Sequence, residues 1–306
     1  VRIRALCVTL LVLLLTACGG AGGSGPTSRP EVAVSFPVVA DVVANVAGDR
    51  VGVWSIVPPG GDPHTYRASA AQIERMTRSR GLVLVGGHLE RFVETGGWRR
   101  AARESGITPL TYAEKIETIK IDKVIDHGDH VHDLREGDPH FWLDPHKVIE
   151  ALPATVEYLS SIDPAGAAAF ARNAAAYRAE LERLAADYET GLAAIPPARR
   201  KLIVFHDAYT YFARRYSFEV LGYVVKAPGQ EPSAADVEEL RRLITDAGVR
   251  VVFREPQFNA RVLELLAAEQ RVGVEVLLTD AFTAEADTYL ELMRHNLASL
   301  VRGLTR

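Results

Sequence analysis

PAGAAAFARNAAAYRAELERLAADYETGLAA, residues 164–194, is the stretch on which the fold turns. Ala, Leu, Glu and Arg dominate it, all strong helix formers. Phe170, Tyr177, Leu181 and Leu184 recur at near-heptad spacing. The pattern predicts one uninterrupted helix, stopped by Pro196 and Pro197. At about 1.5 Å per residue such a rod is long enough to run along two domains. The alternative is one long helix inside a single domain.

On either side of this helix the chain has the same rhythm. Before it, EVAVSF, RVGVWSIV, GLVLVGG and ITPLT read as strands separated by the helical runs VVADVVANVA, SAAQIERMTRS and RFVETGGWRRAARES. After it, KLIVF, SFEVLGYVV, VRVVF and VEVLL alternate with AYTYFARRY, SAADVEELRRLITDAG, NARVLELLAAEQ and a last helix from about 284 to 302. Short apolar runs alternating with helices predict buried, mainly parallel strands. The expected fold is therefore α/β, with two lobes of four strands each joined by one long helix. The expected boundaries are 31–162 for the first lobe, 163–195 for the helix and 196–306 for the second lobe. Residues 113–140 interrupt the rhythm with a polar segment that has neither helical nor strand period. Asp144 and Pro145 then suit the start of another helix.

Ligands of open α/β sheets lie beyond the carboxyl ends of the strands. His64 stands there after the second strand, in DPHTYRAS, residues 62–69. His140 follows the polar segment in DPHFWLDP, residues 138–145. His206 follows KLIVF directly, and Asp280 follows VEVLL in LLTDAF. Each has a plain structural reading as a turn, packing or helix-capping residue. Jointly they offer three imidazoles and one carboxylate at equivalent edges of two lobes. Such a set can close a tetrahedral zinc site; imidazole favours zinc, copper, iron and nickel, and oxygen donors favour manganese, magnesium and calcium.

GGDPHTY, DPHFWLDP, HDAYTYFARRY and the late TDAF together resemble the signature segments of the cluster A-I metal-binding proteins of ABC transporters, the ZnuA/TroA-like solute-binding proteins. The likeness runs from about residue 31 to the last helix, with the segments in family order. It implies metal in the cleft between the lobes, with His64, His140, His206 and Asp280 as ligands. Glu255, in FREPQF, matches a family glutamate that either supports the site or holds a turn. The third Asp-Pro-His, ending at His146, begins a helix and matches no ligand position. His127, His130 and His132 occupy the place of a histidine-rich loop in zinc members and suggest a secondary metal tract. A histidine at 206, where manganese members often carry glutamate, favours Zn2+ over Mn2+ or iron.

The implied function is capture of a divalent transition metal and its delivery to the permease and ATPase of an ABC-type importer, without enzymatic activity. A surface adhesion role is the family alternative. A secreted zinc hydrolase is remote, because four protein ligands leave no evident position for water. Arg2 and Arg4 precede the apolar run 6–17, too short for a membrane span and suited to a signal peptide. LTAC, residues 15–18, resembles the bacterial lipobox, which implies a diacylglycerol on Cys18, extracytoplasmic membrane anchoring and a flexible tether over 18–30. The chain holds two cysteines, Cys7 and Cys18, so the exported domain is expected to rely on its core rather than on disulfides. A net charge of −4 over 306 residues gives no reason to expect nucleic acid as a partner, and a monomer is expected.

Overall fold

The computed structural model describes residues 29–306 apart from 96, 123, 127–130, 134 and 136. Its first half is built on a parallel sheet of β1 (Glu31–Val34), β2 (Gly52–Ser55), β3 (Gly81–Leu84) and β4 (Leu110–Thr111), in the order β2-β1-β3-β4. Ala33 lies opposite Trp54 on one side and Leu82 on the other. Val32, Ala33 and Val34 are fully buried, as a central parallel strand covered on both faces requires. The crossovers are α1 (Pro37–Ala47), α2 (Ala70–Arg78), and α3 (Arg91–Thr95) with α4 (Trp98–Glu104). Pro37 sits in the first turn of α1, and Ser69 with Gln72 forms a reciprocal capping box on α2.

Two local expectations change. The helix expected over 91–105 divides in two, because Gly97 adopts φ 77°, a left-handed conformation that ends one helix and admits the next. The polar segment carries a short antiparallel pair, β5 (Val124–Asp126) with β6 (Val131–Asp133). His127 and His130 lie outside the described residues, as does the side chain of His132.

The helices α5 (Pro145–Ile162) and α6 (Ala167–Leu192) follow. The 26 residues of α6 span about 39 Å. One stripe of it, from Phe170 through Tyr177, Leu181, Leu184 and Tyr188 to Leu192, is buried. The helix touches both halves: Asn173 Nδ2 donates to the Val46 carbonyl at 3.1 Å, and the Tyr188 hydroxyl donates to the Met293 carbonyl at 2.6 Å. Of the two readings open in the sequence, the long connecting helix is the one found.

The second half has β7 (Lys201–Val204), β8 (Glu219–Tyr223), β9 (Val251–Arg254) and β10 (Gly273–Val276). β7 pairs parallel with β8 and β9 with β10, and β7 runs beside β9. Around them lie α7 (Thr210–Tyr216), α8 (Ala234–Asp246), α9 (Arg261–Gln270) and α10 (Tyr289–Thr305). The last helix starts later than its composition suggests, because the Thr288 side chain caps it by accepting from the Glu291 N–H. The larger of two apolar clusters among the described residues runs from Val32 and Leu82 through α6 to Phe253 and Leu300, and the smaller gathers Ile203, Val252 and Leu263 in the second half. Loops that follow β2, β7 and β10 meet in a seam between the two halves.

Candidate metal centre

All three Asp-Pro-His sequences fold by the same local rule. In each, the aspartate Oδ1 accepts from the backbone N–H of the histidine two residues on, at 3.0 Å for Asp62 and His64, 2.9 Å for Asp138 and His140, and 3.0 Å for Asp144 and His146. This is the Asx turn that short acidic side chains favour. What differs is the direction of the chain afterwards. Asp144 caps α5, and its His146 stays in the helix's first turn. His64 and His140 instead turn inward and are 4 % and 1 % exposed.

From the other half, β7 delivers His206 directly at its end. The segment leading to Asp280 is held by a buried amide: Asn296 Oδ1 accepts from the Leu278 N–H at 2.8 Å while its Nδ2 donates to the Leu278 carbonyl at 2.7 Å. His206 and Asp280 are 1 % and 0 % exposed.

These four side chains converge. One donor atom from each of His64, His140, His206 and Asp280 lies within 4.8 Å of all the others. His140 Nε2 and His64 Nε2 are 3.3 Å apart, His206 Nε2 and Asp280 Oδ2 are 3.5 Å apart, and His64 Nε2 and Asp280 Oδ2 are 3.8 Å apart. Bonds of about 2.0–2.2 Å to a tetrahedral ion would separate ligands by about 3.3–3.6 Å. His206 Nε2 and both Asp280 carboxylate oxygens are buried without a hydrogen-bond partner. Buried polar atoms are seldom left so, and a cation at the centre of the cluster would engage His206 Nε2 and one Asp280 oxygen.

The outer nitrogens of two rings are engaged. His140 Nδ1 lies 2.8 Å from Asp138 Oδ1, and His206 Nδ1 lies 2.9 Å from Glu255 Oε1. Carboxylates placed behind metal-facing imidazoles keep the Nδ1–H outward and leave Nε2 as the nitrogen that faces a metal. Glu255 is in turn fixed by the Thr279 hydroxyl and by Gln257 Nε2 at 2.8 Å. Electrostatics follow this layout. Burial works against a charged His206, but the Glu255 carboxylate, with Asp280 and Asp62, outweighs it and lifts the ring to about 10. Burial lifts Asp280 to about 7 despite nearby His206 and His140. Burial would also raise Asp138, yet the hydrogen bonds and charge of His140 hold it below the usual range.

Asp138, Trp142 and Thr279 are parts of this centre that the sequence did not single out. The repeated Asp before each Pro-His was the available signal for Asp138. His88 stands apart, at φ 63° beyond β3, and His295 lies on α10 within 3.5 Å of the Ser299 hydroxyl.

Two α/β lobes on one long helix, with three imidazoles and a carboxylate buried in the seam, define a metal solute-binding protein of the two-lobed kind. The chain belongs to the family described as ZnuA, zinc-uptake complex component A, periplasmic, whose profile matches residues 32–303. That family serves transporters and is not a family of enzymes. The chain is 28 % identical to the zinc-binding protein TroA of Treponema pallidum over 98 % of this chain and 97 % of that one. It is equally 28 % identical to the manganese-binding lipoprotein MntA of Bacillus subtilis, over 97 % of each. The solved structure of the periplasmic TroA superposes with a TM-score of 0.78 at 27 % identity, covering 91 % of this chain and all of that one.

Proposed function

We propose that this protein captures Zn2+ outside the cytoplasm and hands it to the permease and ATPase of an ABC-type importer. Its ligands in this reading are the Nε2 atoms of His64, His140 and His206 and Asp280 Oδ2. The observation that carries it is the convergence of four buried donors from two lobes within 4.8 Å of one another. Three nitrogens to one carboxylate favour zinc over harder ions. Manganese is the second reading, favoured by the MntA relative. Glu255 and Asp138 hold the rings of His206 and His140. The expected lobe limits, 31–162 and 196–306 about a helix over 163–195, describe the working unit, which acts as a monomer. A lipid on Cys18 tethers it to the membrane, and His127, His130 and His132 form a weaker secondary tract.

Competitive titration of the chelated protein with Zn2+ and Mn2+, with elemental analysis of the native protein, tests the assignment. One tightly held Zn2+ per chain, not displaced by equimolar Mn2+, is expected. No uptake at neutral pH would refute the receptor reading, and preferred Mn2+ would refute the choice of metal.

A further inference from the structure

The four donors come from two bodies, so something must hold one pair in register with the other. Trp142 follows His140 by two residues, is fully buried, and sends its indole Nε1–H across the seam to the carbonyl of Thr279 at 3.0 Å. Thr279 immediately precedes Asp280, and its hydroxyl donates to Glu255 Oε2, whose other oxygen faces His206 Nδ1. Thr279 is thus one node through which three candidate ligands are connected: Asp280 along the chain, His206 through Glu255, and His140 through Trp142. The indole ring meets Phe36 edge-on at 4.9 Å between centroids and lies 5.3 Å from the His140 ring, and the backbone carbonyl of Trp142 accepts from the Tyr289 hydroxyl at 2.7 Å.

We infer that Trp142 is a positioning residue, a strap that sets the spacing between His140 of the first lobe and the His206–Asp280 pair of the second, and so governs how firmly the cargo metal is kept. A ligand set displaced by about 1 Å fails to close on an ion whose bonds are about 2 Å long. Groups behind the ligands ordinarily change metal affinity by about 10–100-fold. Deleting the indole N–H leaves the buried Thr279 carbonyl without that donor and frees the Thr279–Asp280 segment to shift relative to His140. The effect belongs to retention: the encounter of metal with the cleft is unaltered, while release becomes faster.

The strap's role in metal retention rests on the metal-receptor reading, and the test separates the two. Zinc release from full-length W142F, Y289F and Y188F is followed by chelator competition beside the wild type. Y188F is the control, since it removes a buried hydroxyl bond between α6 and the Met293 carbonyl of α10 that touches neither a candidate ligand nor Trp142, Thr279 or Glu255. W142F should release zinc at least 10-fold faster, Y289F about threefold faster, and Y188F within twofold of wild type, although Y188F loses thermal stability. Equal release from W142F and Y188F would overturn the proposal, and if W142F fails to fold, Y289F against Y188F decides. Ring resonances of His140 in the chelated proteins give a readout that needs no metal. They should shift in Y289F, which leaves the indole itself in place, and not in Y188F, and unchanged resonances in Y289F would refute the strap. A wild type that takes up no zinc while those resonances do shift would refute the receptor reading alone.

Discussion

Asp280 offers a sharp test because its effects on stability and on binding should have opposite signs. Its carboxylate is fully buried and both oxygens lack a hydrogen-bond partner. Burial raises its ionisation from 3.8 to about 7, which makes the charged form costlier by about 4 kcal/mol as an upper bound. Relaxation and water penetration bring the realised penalty to about 1–3 kcal/mol. Asp280→Asn keeps the shape and removes the charge. In chelated protein it should therefore raise the melting temperature, by roughly 2 °C per kcal/mol for a chain of this size, hence about 2–6 °C. The direction of the shift sets the pH window. A carboxyl whose folded pKa is raised costs nothing below about pH 4, where folded and unfolded states both hold the proton. The cost builds between about pH 4 and 7 and is complete above 7. The gain should accordingly be full at pH 8 and absent near pH 4. With zinc the order reverses: at 1,000 times its dissociation constant a ligand stabilises by about 4 kcal/mol, and the variant should forfeit most of that. Differential scanning calorimetry with and without metal reads both effects. A variant less stable than wild type in chelator would contradict the buried-charge penalty, and one that keeps the full metal-induced shift would remove Asp280 from the ligand set.

The His206 ring, lifted to about 10 by Glu255 and the neighbouring carboxylates, holds a proton at pH 8 that must leave before its nitrogen ligates. Zinc titrations in buffers of different ionisation enthalpy should reveal about one proton released per ion, with affinity rising as pH rises toward 10; a zero slope would contradict this. Asp138→Ala removes the acceptor 2.8 Å from His140 Nδ1 and should weaken zinc binding by about 10–100-fold, measured by competition with a fluorescent chelator. Leu181→Ala, at a fully buried position on α6, should cost about 2–5 kcal/mol in urea unfolding and leave the zinc affinity of the folded fraction unchanged.

The features legible in the sequence are those written locally. The Ala-rich run from 167 to 192 announces its helix through composition alone, and short apolar strands between helices announce a parallel sheet. The Asp-Pro-His turn needs only a side-chain oxygen and an N–H two residues away, so its three copies can be compared as sequence. His206 and Asp280 stand out as candidates because strand ends are where such sheets place ligands. What escapes a sequence reading depends on distant partners. Trp142 meets Thr279 across 137 residues, and neither carries a mark of that meeting. The pair β5 and β6 lies in a polar stretch without alternation, where backbone pairing sets the strands and side chains give no period. The division at Gly97 turns on one backbone angle, which a run of helix-forming neighbours conceals.

The central claim is that one ion sits between two lobes, bound by four particular atoms. Crystals grown with zinc and measured on both sides of the zinc absorption edge test it most directly. The account predicts a single strong anomalous peak in the seam, about 2.0–2.2 Å from His64 Nε2, His140 Nε2, His206 Nε2 and an oxygen of Asp280. A fully loaded protein whose peak lies elsewhere, or touches fewer than three of those side chains, would contradict it.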